Sequence, residues 1–337
     1  MRFCIVGAGA IGGFVGARLA LGGNEVVFIA RGRNLEAINA GGVRVFYRDG
    51  RVDAAPATAT DDYAAAGQFD AVILALKAHQ VAAVAGKLAP LYHADTVVIP
   101  MQNGIPFWYF HGHGGHLAGR TVEAVDPGGI VKDAIPASCI LGCVVYPATE
   151  LTGPGTVVHI EGDRFPLGEL DGTTTARVQA VADAFVRAGL KCPVLDNIRA
   201  EIWLKLWGNL TFNPISALTH ATLVDMCVDS HGRELAAQMM REAQAVAASF
   251  GITFRVSLDK RIEGAARVGK HKTSMLQDVE AGRPLEIDAL VGSVVELGRL
   301  AGVPTPTITA IYNAAKLLDR TMSSEMIAVR AIPLPSS

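Results

Sequence analysis

Short apolar runs alternate with helical stretches through the first half of the chain. This alternation is typical of a parallel sheet whose strands are buried on both faces by flanking helices. The predicted strands are residues 3–6, 25–30, 69–76 and 96–100, and the predicted helices are residues 14–20 and 78–91. The first half therefore predicts a doubly wound α/β sheet.

Further along the chain come added strands and then a change of pattern. Residues 139–145 and 155–160 are predicted as added strands, antiparallel or at a sheet edge, with the turn signal Thr152-Gly153-Pro154-Gly155 between them. From Thr174 onward the chain is rich in Ala, Leu and Met with a helical period, and the predicted breaks fall near Pro193, Pro214, Gly251, Pro284 and Pro304. We therefore predict a Rossmann-type domain at residues 1–172, an all-α domain at residues 173–330, and a loose tail at residues 332–337.

Composition narrows the class of protein. At 337 residues the chain exceeds what one core usually supports. Half of the residues are hydrophobic, 18% are charged and the mean hydropathy is +0.31. These values favour a large core and an apolar subunit interface, and they are compatible with a homodimer. The net charge of −2, without a basic stripe, argues against a nucleic-acid partner.

Membrane and secretion signals are not evident either. No apolar run reaches about 18 residues, and Met1 leads into a strand rather than a charged and apolar leader. The five cysteines contain no CxxC pair and are expected to be small buried residues in a reducing compartment. A cytoplasmic enzyme is expected.

A glycine-rich loop follows the first strand. Gly7 permits the tight turn, Gly9 lets the backbone approach a pyrophosphate, and Gly12 lets the next helix lie close to the sheet. A GxGxxG spacing alone is weak evidence, but a strand precedes this one, and a helix and a second strand follow it. The candidate dinucleotide cradle comprises Gly7, Ala8, Gly9, Ala10, Ile11 and Gly12.

The end of the second strand indicates which dinucleotide binds. NAD-binding folds usually carry an acidic residue there, whereas this chain continues as Ala30, Arg31, Gly32 and Arg33. A guanidinium binds a 2′-phosphate that a carboxylate would repel, so we expect NADP(H) through Arg31. The alternative is that both arginines are solvated loop charges.

Polar residues follow the next two strands as well. Lys77 follows the strand at 69–76, and Asn103 follows the strand at 96–100. Ligands of such sheets collect at the carboxyl ends of the strands, so both are candidate cofactor contacts. Each residue could instead cap a helix or face solvent.

A polar stripe marks the segment at 197–219. Lys205, Asn209 and Asn213 recur every four residues among large apolar residues, so on a helix they share one face. A lysine there either extends along its stem to solvent or faces a polar cavity, and the two amides favour the cavity. Asn213 could also mark a helix end, because Pro214 follows it.

With these segments in hand, the chain resembles the ketopantoate reductases (2-dehydropantoate 2-reductases). The matching segments include the glycine loop, Lys77, Met101-Gln102-Asn103-Gly104, residues 197–206, Asn213-Pro214, residues 273–278 and Glu286-Ile287-Asp288. The resemblance implies an N-terminal Rossmann domain, a helical C-terminal domain and NADPH-dependent reduction of 2-dehydropantoate in pantothenate biosynthesis.

The resemblance also implies roles for single residues. Lys205 would be the proton donor, with Glu286 beside it and near the cofactor. The substrate would be held by Asn209, Asn213 and Ser274, with Asn103 on the same side, while Lys77 and Asn103 would contact NADPH; no metal is implied. Taken alone, Ser274 could belong to a helix cap and Glu286 could be a surface acid.

Two departures from the family pattern leave other functions open. Leu223 stands where related enzymes carry a further asparagine, and residues 105–129 form an unusual aromatic and glycine-rich stretch. The alternatives are a reductase of another branched 2-keto acid, a non-catalytic NADPH-binding sensor, or a hydroxyacid dehydrogenase of the 6-phosphogluconate dehydrogenase type. The physiological substrate and the oligomeric state are not readable from the sequence.

A cluster of histidines lies in that stretch. His111, His113 and His116 invite a metal hypothesis, because neutral imidazoles are common ligands. No carboxylate or cysteine accompanies them, so exposed histidines in a glycine-rich loop are the expected outcome.

Overall fold

The computed structural model describes residues 1–332 and divides the chain into two compact units. The first comprises Met1–Thr121 and Asp126–Glu201, and the second comprises Val122–Val125 and the described residues from Ile202 onward. The boundary lies inside one long helix rather than near Gly172, where the change in sequence pattern lies. The tail predicted to be loose falls, apart from Ile332, outside the described residues.

Eleven strands lie in the described part of the first unit. They are β1 (Arg2–Val6), β2 (Glu25–Ile29), β3 (Val43–Tyr47), β4 (Val52–Ala55), β5 (Thr58–Thr60), β6 (Phe69–Leu74), β7 (Tyr92–Pro100), β8 (Gly142–Cys143), β9 (Ala148–Gly153), β10 (Thr156–Glu161) and β11 (Leu167–Gly168). The helices of this unit are α1 (Ala10–Leu21), α2 (Gly32–Gly41), α3 (Ala78–Ala85), α4 (Ile130–Ala134) and α5 (Ala176–Arg187).

The predicted parallel sheet is confirmed. Its order is β5-β2-β1-β6-β7, and every pairing in it is parallel. Strands β1 and β6 are central and almost wholly buried, as their continuous apolar sequences predict. Because the strands are parallel, the loops after β1, β2, β6 and β7 emerge at one edge.

The added strands form a sheet of their own. Its order is β4-β3-β10-β9, with β10 antiparallel to β9 and parallel to β3. The predicted strand at 139–145 is mostly irregular: Gly142–Cys143 pair with β11, and Ile140 forms an isolated bridge with Val98 of β7. Helix α3 ends at Ala85 rather than Leu91, where Gly86 and then Pro90 interrupt the helical backbone.

Helix α5 explains why residues 173–201 belong to the first unit. Its Phe185 is fully buried and packs edge-on against Phe3 of β1, with 6.4 Å between ring centroids, and against Phe165, at 5.6 Å. Burying an aromatic side chain contributes about 2 kcal/mol or more, so this contact holds α5 on the parallel sheet.

The second unit is helical. After α6 (Ile198–Thr219), which starts in the first unit, it contains α7 (Leu223–Val228), α8 (Ser230–Ser249), α9 (Leu258–Arg267), α10 (Ser274–Glu280), α11 (Ser293–Ala301) and α12 (Pro306–Glu325), with a π-helical turn at Asp288–Gly292. No helix of the described chain is both long and apolar enough to span a membrane.

The predicted break at Pro214 is wrong, because α6 runs through it to Thr219. A proline inside a helix costs roughly 3 kcal/mol. Here the helix is buried on all sides around it, and Trp207 stacks on Phe254 at 4.1 Å and donates from Nε1 to the Met240 carbonyl. Packing of the surrounding residues therefore keeps the helix continuous across the missing backbone hydrogen bond.

Candidate functional site

The glycine loop after β1 has the geometry of a phosphate cradle. Gly7 has φ +109°, a conformation that favours glycine, and a Cβ on Gly12 would lie 2.0 Å from the Gly7 carbonyl oxygen. A Cβ on Gly9 would meet nothing within 4 Å, so the loop has open space in front of its backbone. Three glycines thus make the turn, the opening and the close helix contact, and the N-terminus of α1 follows at once.

Arg31 is the N-cap residue of α2, Arg33 lies in the first turn of that helix, and both are exposed. Gly32 between them has φ +55°. The segment directly after β2 carries no acidic residue. Tyr63, which sequence reasoning missed, lies near Arg31: burial raises the pKa of Tyr63, and the Arg31 charge opposes that shift.

Asn34, which sequence reasoning also missed, joins the segment at residues 31–33, the arginine arm, to the glycine loop. Its Nδ2 donates to the Ala8 carbonyl at 3.3 Å, and its Oδ1 accepts from the Gly155 N–H at 3.1 Å. No local pattern signals such a contact, because its partners are 26 and 121 residues away.

The loops after β6 and β7 carry the next two candidates. Lys77 is the N-cap residue of α3, and its backbone N–H donates to Gln80 Oε1 at 3.1 Å. Asn103 follows β7 and is half-buried. Gln102 joins the two loops, since its Nε2 donates to the carbonyls of Leu74 at 2.7 Å and Leu76 at 3.0 Å.

The polar stripe of α6 is present in the second unit. Lys205 and Asn209 are half-buried, and Asn213 is 6% exposed, while the residues between them are largely buried. Asn213 Nδ2 donates to Ser274 Oγ at 3.4 Å. The alternative that Asn213 ends the helix is wrong, because α6 continues for six residues beyond it.

Ser274 begins α10 but does not cap it. The cap is Thr273, whose Oγ1 accepts from the Leu276 N–H at 3.2 Å, so the exposed Ser274 side chain is left to approach Asn213. The seven-residue α10 thus places one hydroxyl beside the stripe of α6.

Glu286 is half-buried just before the π-helical turn. In that turn Asp288 accepts from Tyr312 Oη at 2.8 Å and from Lys316 Nζ at 2.5 Å. Burial and the Asp288 hydrogen bond raise the pKa of Tyr312 to about 12, so the phenol keeps its proton and remains a donor. π-Helical turns often occur at functional sites, and this one fixes the backbone directly after Glu286.

The candidates fall into two groups. The glycine loop, Arg31, Lys77 and Asn103 belong to the first unit, and Lys205, Asn209, Asn213, Ser274 and Glu286 belong to the second. Within the second unit the structure joins Asn213 to Ser274 directly.

The two departures from the family pattern, Leu223 and most of the stretch at 105–129, lie in different units of the structure. Leu223 is the first residue of α7, and its N–H donates to the His271 carbonyl at 3.1 Å. The side chains of residues 107–110, which are Phe107, Trp108, Tyr109 and Phe110, are buried in the first unit. These aromatics therefore serve as core rather than as an exposed lining.

The histidines of the same stretch are not arranged as a metal site. His116 is exposed, His113 lies against the rings of Tyr109 and Phe110, and His111 is half-buried. Within residues 1–332, no group of three or more His, Cys, Asp or Glu is placed to hold a metal ion.

A pocket of about 370 Å³ beside α1 in the first unit is lined by residues other than these candidates, among them Phe14 and Arg18. Asp53 there pairs with Arg18 at 3.0 Å and Arg51 at 3.6 Å, and Asp163 pairs with Lys191 at 3.1 Å. Two of its cations, Arg18 and Arg51, are thus paired with a carboxylate, and we assign no ligand to this pocket.

Comparison with known proteins connects this arrangement to one family. The profile of the family "Ketopantoate reductase PanE/ApbA" matches residues 3–172, and its C-terminal profile matches residues 197–319. A 2-dehydropantoate 2-reductase of Mesorhizobium japonicum is 52% identical over 319 residues, which cover 94% of this chain and 98% of that protein.

Solved structures agree. A protein described as a ketopantoate reductase from Ralstonia solanacearum MolK2 is 42% identical with a TM-score of 0.90, over 95% of this chain and 98% of that one. A D-mandelate dehydrogenase in complex with NADH and anilino(oxo)acetate is 25% identical with a TM-score of 0.81, over 96% of this chain and 100% of that one. The chain therefore belongs to the ketopantoate reductase (PanE/ApbA) family, and it is a pyridine-nucleotide-dependent oxidoreductase that acts on a CH–OH group.

Proposed function

We propose that this enzyme reduces 2-dehydropantoate (ketopantoate) to pantoate with NADPH, a step of pantothenate and coenzyme A biosynthesis. The observation that carries the proposal is the polar stripe of α6, in which Asn213 reaches Ser274 while Lys205 lies two turns earlier on the same face. Its 52% identical relative bears the name of this activity.

The first unit supplies the cofactor residues in this proposal. The glycine loop (Gly7, Ala8, Gly9, Ala10, Ile11 and Gly12) would receive the pyrophosphate, since its shape leaves open space at Gly9. Arg31 would bind the 2′-phosphate, because its guanidinium is exposed and no carboxylate follows β2 directly. Lys77 and Asn103 would contact the rest of the dinucleotide at the carboxyl ends of β6 and β7, with Asn103 also on the substrate side.

The second unit supplies the substrate residues. Asn209, Asn213 and Ser274 would hold the hydroxyl and carboxylate of ketopantoate through neutral hydrogen bonds. We assign residues 1–172 to cofactor binding and residues 173–330, of which 173–201 pack in the first unit, to substrate binding and to a homodimer interface. None of the five cysteines forms a disulfide, which fits the cytoplasmic location that we propose.

Lys205 carries the chemical step. When bound, the reduced nicotinamide supplies the hydride that is added to C2. Negative charge then builds on the carbonyl oxygen, and the Lys205 ammonium stabilises it and donates the proton that completes the hydroxyl group. Lys205 regains its proton from solvent, and Glu286 would favour its charged form.

A second candidate is the reduction of a different 2-keto acid. The apolar Leu223 replaces an expected asparagine, and a solved relative of the same fold is a D-mandelate dehydrogenase bound to NADH and anilino(oxo)acetate. An apolar residue at this position would accept a less polar side group than that of ketopantoate.

A turnover assay separates these possibilities. NADPH oxidation is followed with ketopantoate and with 2-keto acids of different branching, including an aryl one, and the values of kcat/KM are compared. We expect the highest value for ketopantoate with NADPH. A higher value for another acid supports the second candidate, and NADPH binding without turnover of any acid indicates a sensor. Preferential oxidation of a 3-hydroxy acid indicates a dehydrogenase of the 6-phosphogluconate dehydrogenase type.

A further inference from the structure

Asn34 forms a bridge whose two ends fix its amide orientation. It donates from Nδ2 to the Ala8 carbonyl and accepts at Oδ1 from the Gly155 N–H. A flipped amide would place oxygen against oxygen and N–H against N–H, so only this orientation satisfies both neighbours. Asparagine is a poor helix former, yet it is the third residue of α2.

The Ala8 end of the bridge acts on the glycine loop. The Ala8 carbonyl and the Gly9 N–H belong to one planar peptide and point in opposite directions. Holding the carbonyl therefore aims the Gly9 N–H, and Gly9 is the position where the loop leaves open space. A preset N–H direction spares the loop the entropy cost of ordering when an anion binds.

The Gly155 end rests on a tight turn. Gly155 has φ +62°, and a Cβ on it would lie 3.2 Å from the Gly42 carbonyl oxygen and 3.4 Å from Ala37 Cβ. The Gly155 carbonyl also accepts from the Arg44 N–H at 2.9 Å. The turn is thus packed against both α2 and β3, and it gives Asn34 a firm support.

The middle of the bridge secures the arginine arm. Arg31 is the N-cap residue of α2 but makes no side-chain cap hydrogen bond, and Gly32 is a flexible residue type. Asn34 ties this first turn to Ala8 and Gly155, and Arg31 and Arg33 lie within three residues of it.

We propose that Asn34 is a positioning residue for the dinucleotide: it sets the distance between the glycine loop and the arginine arm. The proposal rests on the proposed binding of NADPH. A ligand that spans both places, as NADPH would, gains more from the bridge than NADH, which lacks the 2′-phosphate.

The test is a binding titration with a matched control. Asn34→Ala removes both hydrogen bonds, and Asn39→Ala removes an equivalent pair farther along α2, where Asn39 donates to the Ala59 carbonyl at 2.9 Å and accepts from its N–H at 2.7 Å. Dissociation constants for NADPH and NADH are measured by fluorescence, and thermal unfolding confirms that each variant folds.

We expect Asn34→Ala to weaken NADPH binding about tenfold and NADH binding about threefold, which is the scale of one or two hydrogen bonds. Asn39→Ala should change both by less than about twofold. Asn34→Asp keeps the acceptor for Gly155 but turns a carboxylate oxygen toward the Ala8 carbonyl and adds a negative charge beside the glycine loop. Both cofactors should therefore bind more weakly to it than to Asn34→Ala, and NADPH, which carries the additional phosphate, should lose the most. Equal affinities of Asn34→Ala and Asn39→Ala for both cofactors would overturn the proposal.

Wild type and Arg31→Ala are titrated in parallel. If wild type shows no preference for NADPH and Arg31→Ala weakens both cofactors alike, the proposed NADPH specificity fails. The Asn34 proposal is then decided by NADH alone, since a bridge that aims the glycine loop must still make NADH bind more weakly to Asn34→Ala than to Asn39→Ala.

Discussion

The side-chain amide of Asn213 donates to the hydroxyl of Ser274, with 3.4 Å between Nδ2 and Oγ. The two residues are 61 positions apart and lie on α6 and α10. The distance is long for an N–H···O hydrogen bond, so the contact is weak and can yield to a ligand that offers a stronger acceptor. A carboxylate oxygen is such an acceptor.

We expect Asn213→Ala and Ser274→Ala each to raise KM for ketopantoate about fivefold to tenfold, because each removes roughly 1 kcal/mol of hydrogen bonding. NADPH affinity should be unchanged. Steady-state kinetics of both variants and of the double variant give the coupling between them. Thr219→Ala, at the exposed end of α6, is the control. An unchanged KM in Asn213→Ala, Ser274→Ala and the double variant would remove both residues from the substrate site.

Lys205→Ala should lower kcat by at least about a hundredfold while NADPH still binds, because a positioned proton donor contributes on that scale. Single-turnover kinetics with NADPH measure the effect. Lys260→Ala, an exposed lysine of α9, controls for loss of a positive charge in the same unit. A kcat within a fewfold of wild type for Lys205→Ala would show that the proton comes from elsewhere.

The glycine loop, the parallel strands and the α6 stripe could be predicted because each is encoded within a few neighbouring residues. The β3–β4 hairpin was not predicted, since Val43–Tyr47 alternates exposed and buried positions over only five residues. Helix α6 crosses Pro214 because of packing that no local rule contains. Asn34 and Gln102 could not be assigned roles from sequence, because their partners are distant in the chain.

Gln102 is expected to hold the two strand ends together. Gln102→Glu replaces the two donors with carboxylate oxygens that face the carbonyls of Leu74 and Leu76, which should lower the free energy of unfolding by about 1–3 kcal/mol at neutral pH. Urea denaturation measures this change, and KM for NADPH should rise as Lys77 and Asn103 lose their spacing. Gln68→Glu is the control, because the exposed Gln68 side chain donates to the Tyr92 carbonyl, at 2.8 Å, rather than to two strand ends. Equal destabilisation of the two variants would contradict a special role for Gln102.

His111 should make the enzyme less stable in mild acid. Burial first, and then the charges of Lys132 and Arg199, lower the pKa of His111 below its ordinary value of 6.5. Its buried Nε2 has no hydrogen-bond partner within residues 1–332, so protonation gains nothing in the fold. Because the unfolded chain takes up this proton more readily, the free energy of unfolding falls as the pH drops below about 6.5 and levels off below the folded pKa. His111→Gln has no imidazole to protonate. Between neutral pH and about pH 5, its denaturation curves should therefore show a smaller loss of stability than those of the wild type. Parallel curves for the two proteins would mean that His111 titrates as freely in the folded chain as in the unfolded one.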